Sequence, residues 1–362
     1  NTKIGSNMRN PKFWQLPSES NHPAKITLQP VGFLYSQIVK LRLKFSHSEH
    51  IGKPVICVGN FTVGGSGKTP VTLKLAEHLA SMGEQPSILS KGYGGNNRQA
   101  LKVDPKLHHA KLTGDEPYMM AHQYPVYIAP NRRDAAKLAL KDKQVNPTVL
   151  IMDDGMQSPN LHKSLTLAVI DRQAGFGNGA VFPAGPLREN IDDALARIDA
   201  IIINGPFLGR HRADVDAVIS KAVEVNIPVF ETELVATNTH AEKVVAFCGI
   251  GRPTKFYSQL EQLGYDVQFS QDFDDHHYYS EQDAANLLAL AEQYNAQLIT
   301  TRKDAVRLEG FDKSSKRFKL AEICKTLDVV AMFSDDKKLE QFLIRKLSEA
   351  RKSKLYAAPG NN

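Results

Sequence analysis

Only three cysteines and one tryptophan occur in 362 residues. Cys57, Cys248 and Cys324 are odd in number and far apart, so they form neither a disulfide framework nor the close ligand spacing of structural zinc. They read as reduced structural residues, the first two inside apolar, strand-like segments. No apolar run is long enough to span a bilayer and no secretory signal is evident, so the expected compartment is a cytosolic face. Dense Arg/Lys runs interleaved with aromatics are missing as well. The net charge of +6 would favour anionic ligands or membrane surfaces but is too modest to indicate nucleic acid. What is present is an ordinary globular composition, 42% hydrophobic and 23% charged, in a chain longer than single cores usually grow. Two domains are therefore expected.

The chain is organised around Pro54 to Pro70, PVICVGNFTVGGSGKTP. Val55, Ile56, Cys57 and Val58 suit a buried strand. The segment after the loop places Leu73, Ala76, Leu79 and Ala80 at helical spacing and stops at Gly83. A strand, a glycine-rich turn and a helix in this order make a phosphate-binding loop. Gly64, Gly65 and Gly67 remove side chains, so that backbone N–H groups around Ser66 can wrap phosphate oxygens; Lys68 reaches the outer phosphates and the Thr69 hydroxyl suits Mg²⁺. Thr62 stands where the usual pattern has glycine.

Strand and helix signals then alternate, which supports a parallel α/β sheet. PSILSKGYGG reads as a strand and turn in which Tyr93 either flanks a ligand or covers the sheet end. Thr113 and Glu116 have the spacing of a capping box, leaving Asp115 for another role. Arg132 follows a strand end, where it either neutralises phosphate or serves as surface charge. The strand Val149–Met152 delivers Asp153 and Asp154 where a Mg²⁺-binding acid is expected beside a phosphate loop. Arg188 and Glu189 lie at a loop-to-helix junction, binding a polar ligand or starting the helix. The first-domain pattern breaks around residues 228–243, placing a larger unit over 1–235 and a smaller α/β unit over 236–362. In that second unit Gly249 and Gly251 are a weak nucleotide signal, and Asp274, Asp275, His276 and His277 suit metal binding, proton transfer or local capping. Near the start, Val31, Leu34, Tyr35, Ile38 and Leu41 share a helical face, with Lys40 and Lys44 away from it; such a helix either lies in a membrane interface or packs on the core.

Taken together, GGSGKTP, KGYGG, TGDEP, DDGMQ, AGPLRE, DDHHYY and TTRKDAVRL resemble the tetraacyldisaccharide 4'-kinase (lipid A 4'-kinase) family, in a compatible order from Pro54 to Leu308. The sequence departs from common family patterns at Met156, Ser158 and Arg302. The resemblance implies a P-loop NTPase-like parallel-sheet domain facing a smaller α/β domain. It implies ATP- and Mg²⁺-dependent phosphorylation of the 4'-hydroxyl of an acylated disaccharide 1-phosphate, a step of lipid A and lipopolysaccharide biosynthesis. The implied location is peripheral, on the cytoplasmic face of the bacterial inner membrane, with the amphipathic segment in contact with lipid. It further implies that Asp115 is the acid/base group and His276 its orienting partner. Asp153 or Asp154 would join Thr69 at Mg²⁺, and Tyr93, Arg132, Gln157, Arg188 and Glu189 would belong to the cleft. A P-loop ATPase switch and a noncatalytic phosphate-binding scaffold are the alternatives; no guanine-reading NKxD motif is evident.

Overall fold

The computed structural model describes residues 11–207, 212–237 and 242–356. Thirteen strands are described: β1 (Val55–Asn60), β2 (Pro86–Ser90), β3 (Leu101–Lys102), β4 (Val126–Ile128), β5 (Val149–Asp153), β6 (Leu165–Asp171), β7 (Ala200–Asn204), β8 (Val229–Ala236), β9 (Lys243–Cys248), β10 (Asp266–Asp272), β11 (Gln297–Thr301), β12 (Lys325–Leu327) and β13 (Val329–Phe333). The larger sheet runs β13-β8-β7-β6-β1-β5-β2-β4-β3 and is parallel except at its two edges, β13 and β3. The smaller sheet, β10-β9-β11-β12, is wholly parallel.

Helices cover both faces of the larger sheet, so its central strands are apolar throughout and their alternate residues serve two cores. Ile56 and Val58 of β1 face one core, with Leu75 and Leu79 of the helix Lys68–Ser81; Val55 and Cys57 face the other, with Ala135, Ala139 and Val218. Leu75 and Leu79 are fully enclosed, a burial that stabilises by about 1.5–3 kcal/mol for each side chain. The smaller sheet repeats the plan, with Val245 and Phe247 on one side and Val244 and Ala246 on the other. Cys57 and Cys248 are buried free thiols in β1 and β9, and Cys324 is also free, as the structural reading expected.

The boundary expected at residue 235 does not separate the two sheets. The smaller sheet draws on β9 to β12, after which β13 pairs antiparallel with β8 and the helix Asp336–Tyr356 places Leu339, Phe342 and Leu343 in the larger core. Part of the expected break, residues 238–241, lies outside the described residues, as do residues 1–10 and 357–362. The chain passes from one sheet to the other at Asp328, the single residue between β12 and β13 within TLDVVAMF, so no linker marks the crossing.

The N-terminal helix, Pro23–Phe45, turns its amphipathicity outward. Its small and polar residues Gly32 and Ser36 are buried, and a Cβ on Gly32 would stand 2.7 Å from the Val181 carbonyl oxygen. Val31, Phe33, Leu34, Ile38, Leu41 and Phe45 are exposed. Tyr35 differs from the expected stripe, because its ring meets Phe182 edge-on at 5.5 Å. Packing on the protein thus runs along Gly32, Tyr35 and Ser36, while most of the large apolar side chains face outward. No helix among the described residues is long and apolar enough to cross a membrane.

Candidate active site

Burial of β1 and of the apolar side of the helix Lys68–Ser81 fixes the phosphate loop between them. Gly64 and Gly67 have φ of +118° and +82°, conformations that glycine adopts without steric penalty. Gly67 immediately precedes the helix, and Asn204 at the end of β7 donates from Nδ2 to the Ser66 carbonyl at 2.9 Å. From the other side, Val63 N–H donates to the Pro186 carbonyl at 2.7 Å and Arg188 Nε to the Thr62 carbonyl at 3.1 Å. Thr62, the departure from the usual glycine position, is therefore part of the bracing of the loop. Asn204 was not signalled by the sequence, since it lies 138 residues from Ser66. A Cβ on Gly67 would stand 2.0 Å from Asn204 Nδ2. Gly67→Ala is accordingly expected to weaken ATP binding roughly tenfold or more, from left-handed strain of about 1–2 kcal/mol and displacement of Asn204. Calorimetric titration checks this, and parent affinity in the folded variant would show that the cradle tolerates the methyl group.

The loop fits a nucleotide phosphate. A Cβ on Gly65 would meet nothing within 4 Å, and Ser66 Oγ is buried without a protein partner. Thr69 Oγ1 likewise has no protein partner among the described residues. Lys68 Nζ reaches to 4.0 Å from Asp154 Oδ1. At the end of β5, Asp153 accepts from Thr72 Oγ1 at 3.2 Å. Burial, with repulsion from Glu116 and Asp154, pushes the Asp153 carboxyl up to about 7. For Asp154 burial acts in the same direction, but Lys68 and Arg188 outweigh it and hold the carboxyl below its ordinary range. Arg188 grips both Asp154 oxygens, at 2.7 and 3.0 Å. Carboxylate and hydroxyl oxygens of Asp153, Asp154 and Thr69 are the hard donors that suit Mg²⁺ beside the phosphates.

Arg132, Gln157, Arg188 and Glu189 are linked to the end of β5. Arg132 is buried rather than a surface charge, and its Nη2 donates to the Asp153 and Asp154 carbonyls at 2.8 and 2.6 Å, tying down the strand end. Gln157 Nε2 donates to Glu189 Oε1 at 2.8 Å, and its Oε1 accepts from Arg188 at 3.3 Å. Glu189 also pairs with Arg197. Tyr93 is 76% exposed, which removes the reading as a cover for the sheet end; its ring stands edge-on to His276 at 5.9 Å.

Asp115 and His276 meet across the two sheets. His276 Nδ1 lies 2.9 Å from Asp115 Oδ2. Burial would raise the Asp115 pKa, but the His276 hydrogen bond and the charges of Arg307 and Lys303 overcome it, so the carboxyl is held below its ordinary value. His277 points elsewhere, to Asp283 at 3.0 Å, and among the described residues no three His, Cys, Asp or Glu side chains converge as a metal site.

The Thr113–Glu116 capping box does not form. Gly114, at φ +91°, precedes the helix Asp115–Ala121 without a side-chain cap; Thr113 Oγ1 donates back to the His109 carbonyl at 3.3 Å. Glu116 instead reaches Lys303 Nζ at 3.2 Å. Burial opposes its ionisation, yet Lys303 and Lys68 prevail and hold its pKa down. Lys303 and Arg307, like Asn204, are site residues that the sequence did not single out; their only signal was membership of TTRKDAVRL.

Residues 24–348 match the family model described as Tetraacyldisaccharide-1-P 4'-kinase. A tetraacyldisaccharide 4'-kinase of Parvibaculum lavamentivorans is 41% identical over 349 residues, which is 95% of this chain and 100% of the relative. That of Bradyrhizobium diazoefficiens is 42% identical over 308 residues, or 84% and 88% of the two chains. Among solved structures, LpxK from Aquifex aeolicus in complex with ATP superposes with a TM-score of 0.67 at 25% identity, over 89% of this chain and 99% of that one. A match over most of the length in family model, sequence and fold shows that the chain belongs to the tetraacyldisaccharide-1-P 4'-kinase family.

Proposed function

We propose that Lys68, Asp115 and His276 carry the ATP-dependent 4'-kinase reaction of this family on a tetraacyldisaccharide 1-phosphate. The observation that carries the assignment is the 2.9 Å contact of Asp115 with His276, which joins the helix Asp115–Ala121 to the loop after β10, next to Glu116, whose carboxylate feels the Lys68 charge. The backbone of Gly64 to Gly67 holds the ATP phosphates, and Lys68 neutralises charge on the phosphoryl group in flight. The 4'-hydroxyl oxygen forms a bond to the γ-phosphorus while the bond from that phosphorus to the bridging oxygen breaks and ADP leaves. The hydroxyl proton passes to the Asp115 carboxylate, which His276 orients. Thr69 with Asp153 or Asp154 would hold Mg²⁺, which when bound offsets charge on the β- and γ-phosphate oxygens. Arg188, Gln157 and Glu189 keep Asp154 in place, Arg132 fixes the strand end, and Tyr93 borders the acceptor side.

The substrate carries acyl chains, and the outward apolar side of the N-terminal helix gives them a place to remain in lipid. The enzyme thus works as a peripheral protein at the cytoplasmic face of the inner membrane. Changing Leu34 and Ile38 to glutamine is expected to lower partitioning onto anionic liposomes at least about tenfold, since each buried aliphatic side chain contributes roughly 1.5–3 kcal/mol. ATP binding in solution should not change. Equal sedimentation of parent and variant with liposomes would place lipid contact elsewhere.

Purified protein with γ-labelled ATP, Mg²⁺ and tetraacyldisaccharide 1-phosphate in mixed micelles tests the whole reading. Label is expected on the acceptor 4'-oxygen. Phosphate release without acceptor labelling would support an ATPase, and binding without turnover a scaffold.

A further inference from the structure

One buried cation at the site, Arg307, has no role in the proposed reaction. Arg307 follows the short helix Arg302–Ala305, and its side chain is fully enclosed. Its Nη1 donates to Asp304 Oδ1 at 2.7 Å and to the Gly249 carbonyl at 2.9 Å. Asp304 is itself held by Gly249 N–H at 3.0 Å, Tyr279 Oη–H at 2.9 Å and Thr301 Oγ1–H at 2.6 Å. The ends of β9 and β11 and the start of the helix Glu281–Tyr294 thereby fix the guanidinium. Gly249 has a steric reason here, because a Cβ on it would lie 2.9 Å from the Asp274 carbonyl oxygen and 3.2 Å from Asp304 Oδ1. Asp304 already balances the arginine's charge within the smaller unit. Yet Nε is directed across the boundary, to Asp115 Oδ2 at 2.9 Å. Nη2 is buried without a protein hydrogen bond.

Arg307 Nε and His276 Nδ1 both engage the same Asp115 oxygen, Oδ2. Oδ1 accepts from no protein group among the described residues. We infer that Arg307 is a positioning residue of the phosphoryl transfer: together with His276 it holds Oδ2, so that Oδ1 alone receives the acceptor proton, and it does so only while the smaller unit is docked. The inference rests on Asp115 being the proton acceptor. It is consistent with the charges around that carboxylate, which are Arg307 and Lys303 from the segment after β11, His276 and Tyr278 from the loop after β10, and Glu116 on its own helix. Removing Arg307 takes a positive charge from this set, so the Asp115 pKa rises and the acid limb of the rate profile moves to higher pH.

The test compares Arg307→Met and Arg307→Lys in the full-length protein, measuring kcat, KM for ATP and the pH dependence of kcat/KM. Arg307→Met is expected to lower kcat about 100-fold, leave KM for ATP unchanged and raise the acid limb by about 1–3 pH units. Arg307→Lys should return the limb toward the parent position while kcat stays low, because an ammonium supplies charge without the planar fork. A folded Arg307→Met enzyme with the parent acid limb would overturn the inference. If neither variant folds, the ¹³C titration of the Asp115 carboxyl in the parent protein, assigned through Asp115→Asn, decides it; titration at or above the ordinary carboxylate range overturns it. Parent turnover in Asp115→Asn is a separate result, and it would remove the proton-acceptor reading itself.

Discussion

Asp115→Asn should lower turnover by about 10²- to 10⁴-fold, the range typical for loss of a general base. The substitution keeps the shape of the side chain but removes the carboxylate that His276 and Arg307 hold by Oδ2. ATP affinity should stay close to the parent value, because Lys68 and the glycine loop make no hydrogen bond or ion pair with this group. The acid limb of the parent enzyme provides a second check. Asp115 is held below its ordinary pKa, so it is ionised above that value, and activity dependent on it is lost only as the pH falls through the lowered pKa. His276→Ala should also reduce turnover, and the double variant should lose less than the product of the single losses if both residues serve one step. Independent, multiplicative losses would assign them to separate steps. Near-parent turnover in a folded Asp115→Asn enzyme would remove the base assignment while leaving the kinase family intact.

Lys68→Ala should lower kcat/KM by about 10²- to 10³-fold, the scale on which a preorganised charge at the reacting group acts. Lys68 does more than meet phosphate. Its charge lowers the pKa of Asp154 and Glu116 and opposes the rise at Asp153. Without it the carboxyls retain protons to higher pH and bind a divalent cation less well. The Mg²⁺ concentration needed for half-maximal rate should therefore increase, more so below neutral pH than above. Rate measurements across Mg²⁺ concentration and pH, with melting curves to exclude unfolding, check both effects. A folded variant with the parent rate at subsaturating ATP would show that Lys68 does not stabilise the transferring phosphate.

The phosphate loop was legible because its chemistry is local. Strand, glycines, lysine and threonine are adjacent in the chain, and the positive φ of Gly64 and Gly67 is the conformation that the missing side chains permit. The alternation of buried strands and helices was legible for the same reason, as were the structural cysteines of β1 and β9. Asp115 and His276 lie 161 residues apart, and Asp115 and Arg307 lie 192 apart. Resemblance to a family proposed the first pair; nothing in the spacing proposed the second. At Glu116 a locally valid pattern misled, because Gly114 supplied the turn and a lysine from the other unit competed for the carboxylate. On the N-terminal helix the periodicity was plain, but which side faced the protein depended on Gly32 fitting against the Val181 carbonyl. Residues 329–356 read as part of the smaller unit until β8 offered an open edge that β13 could pair with. Amino-acid order thus set what each segment could form and which phosphate chemistry it could support. The three-dimensional packing chose among partners, since a buried carboxylate or an unpaired strand edge is stabilised by whichever complementary group the fold brings within reach, however distant in the chain.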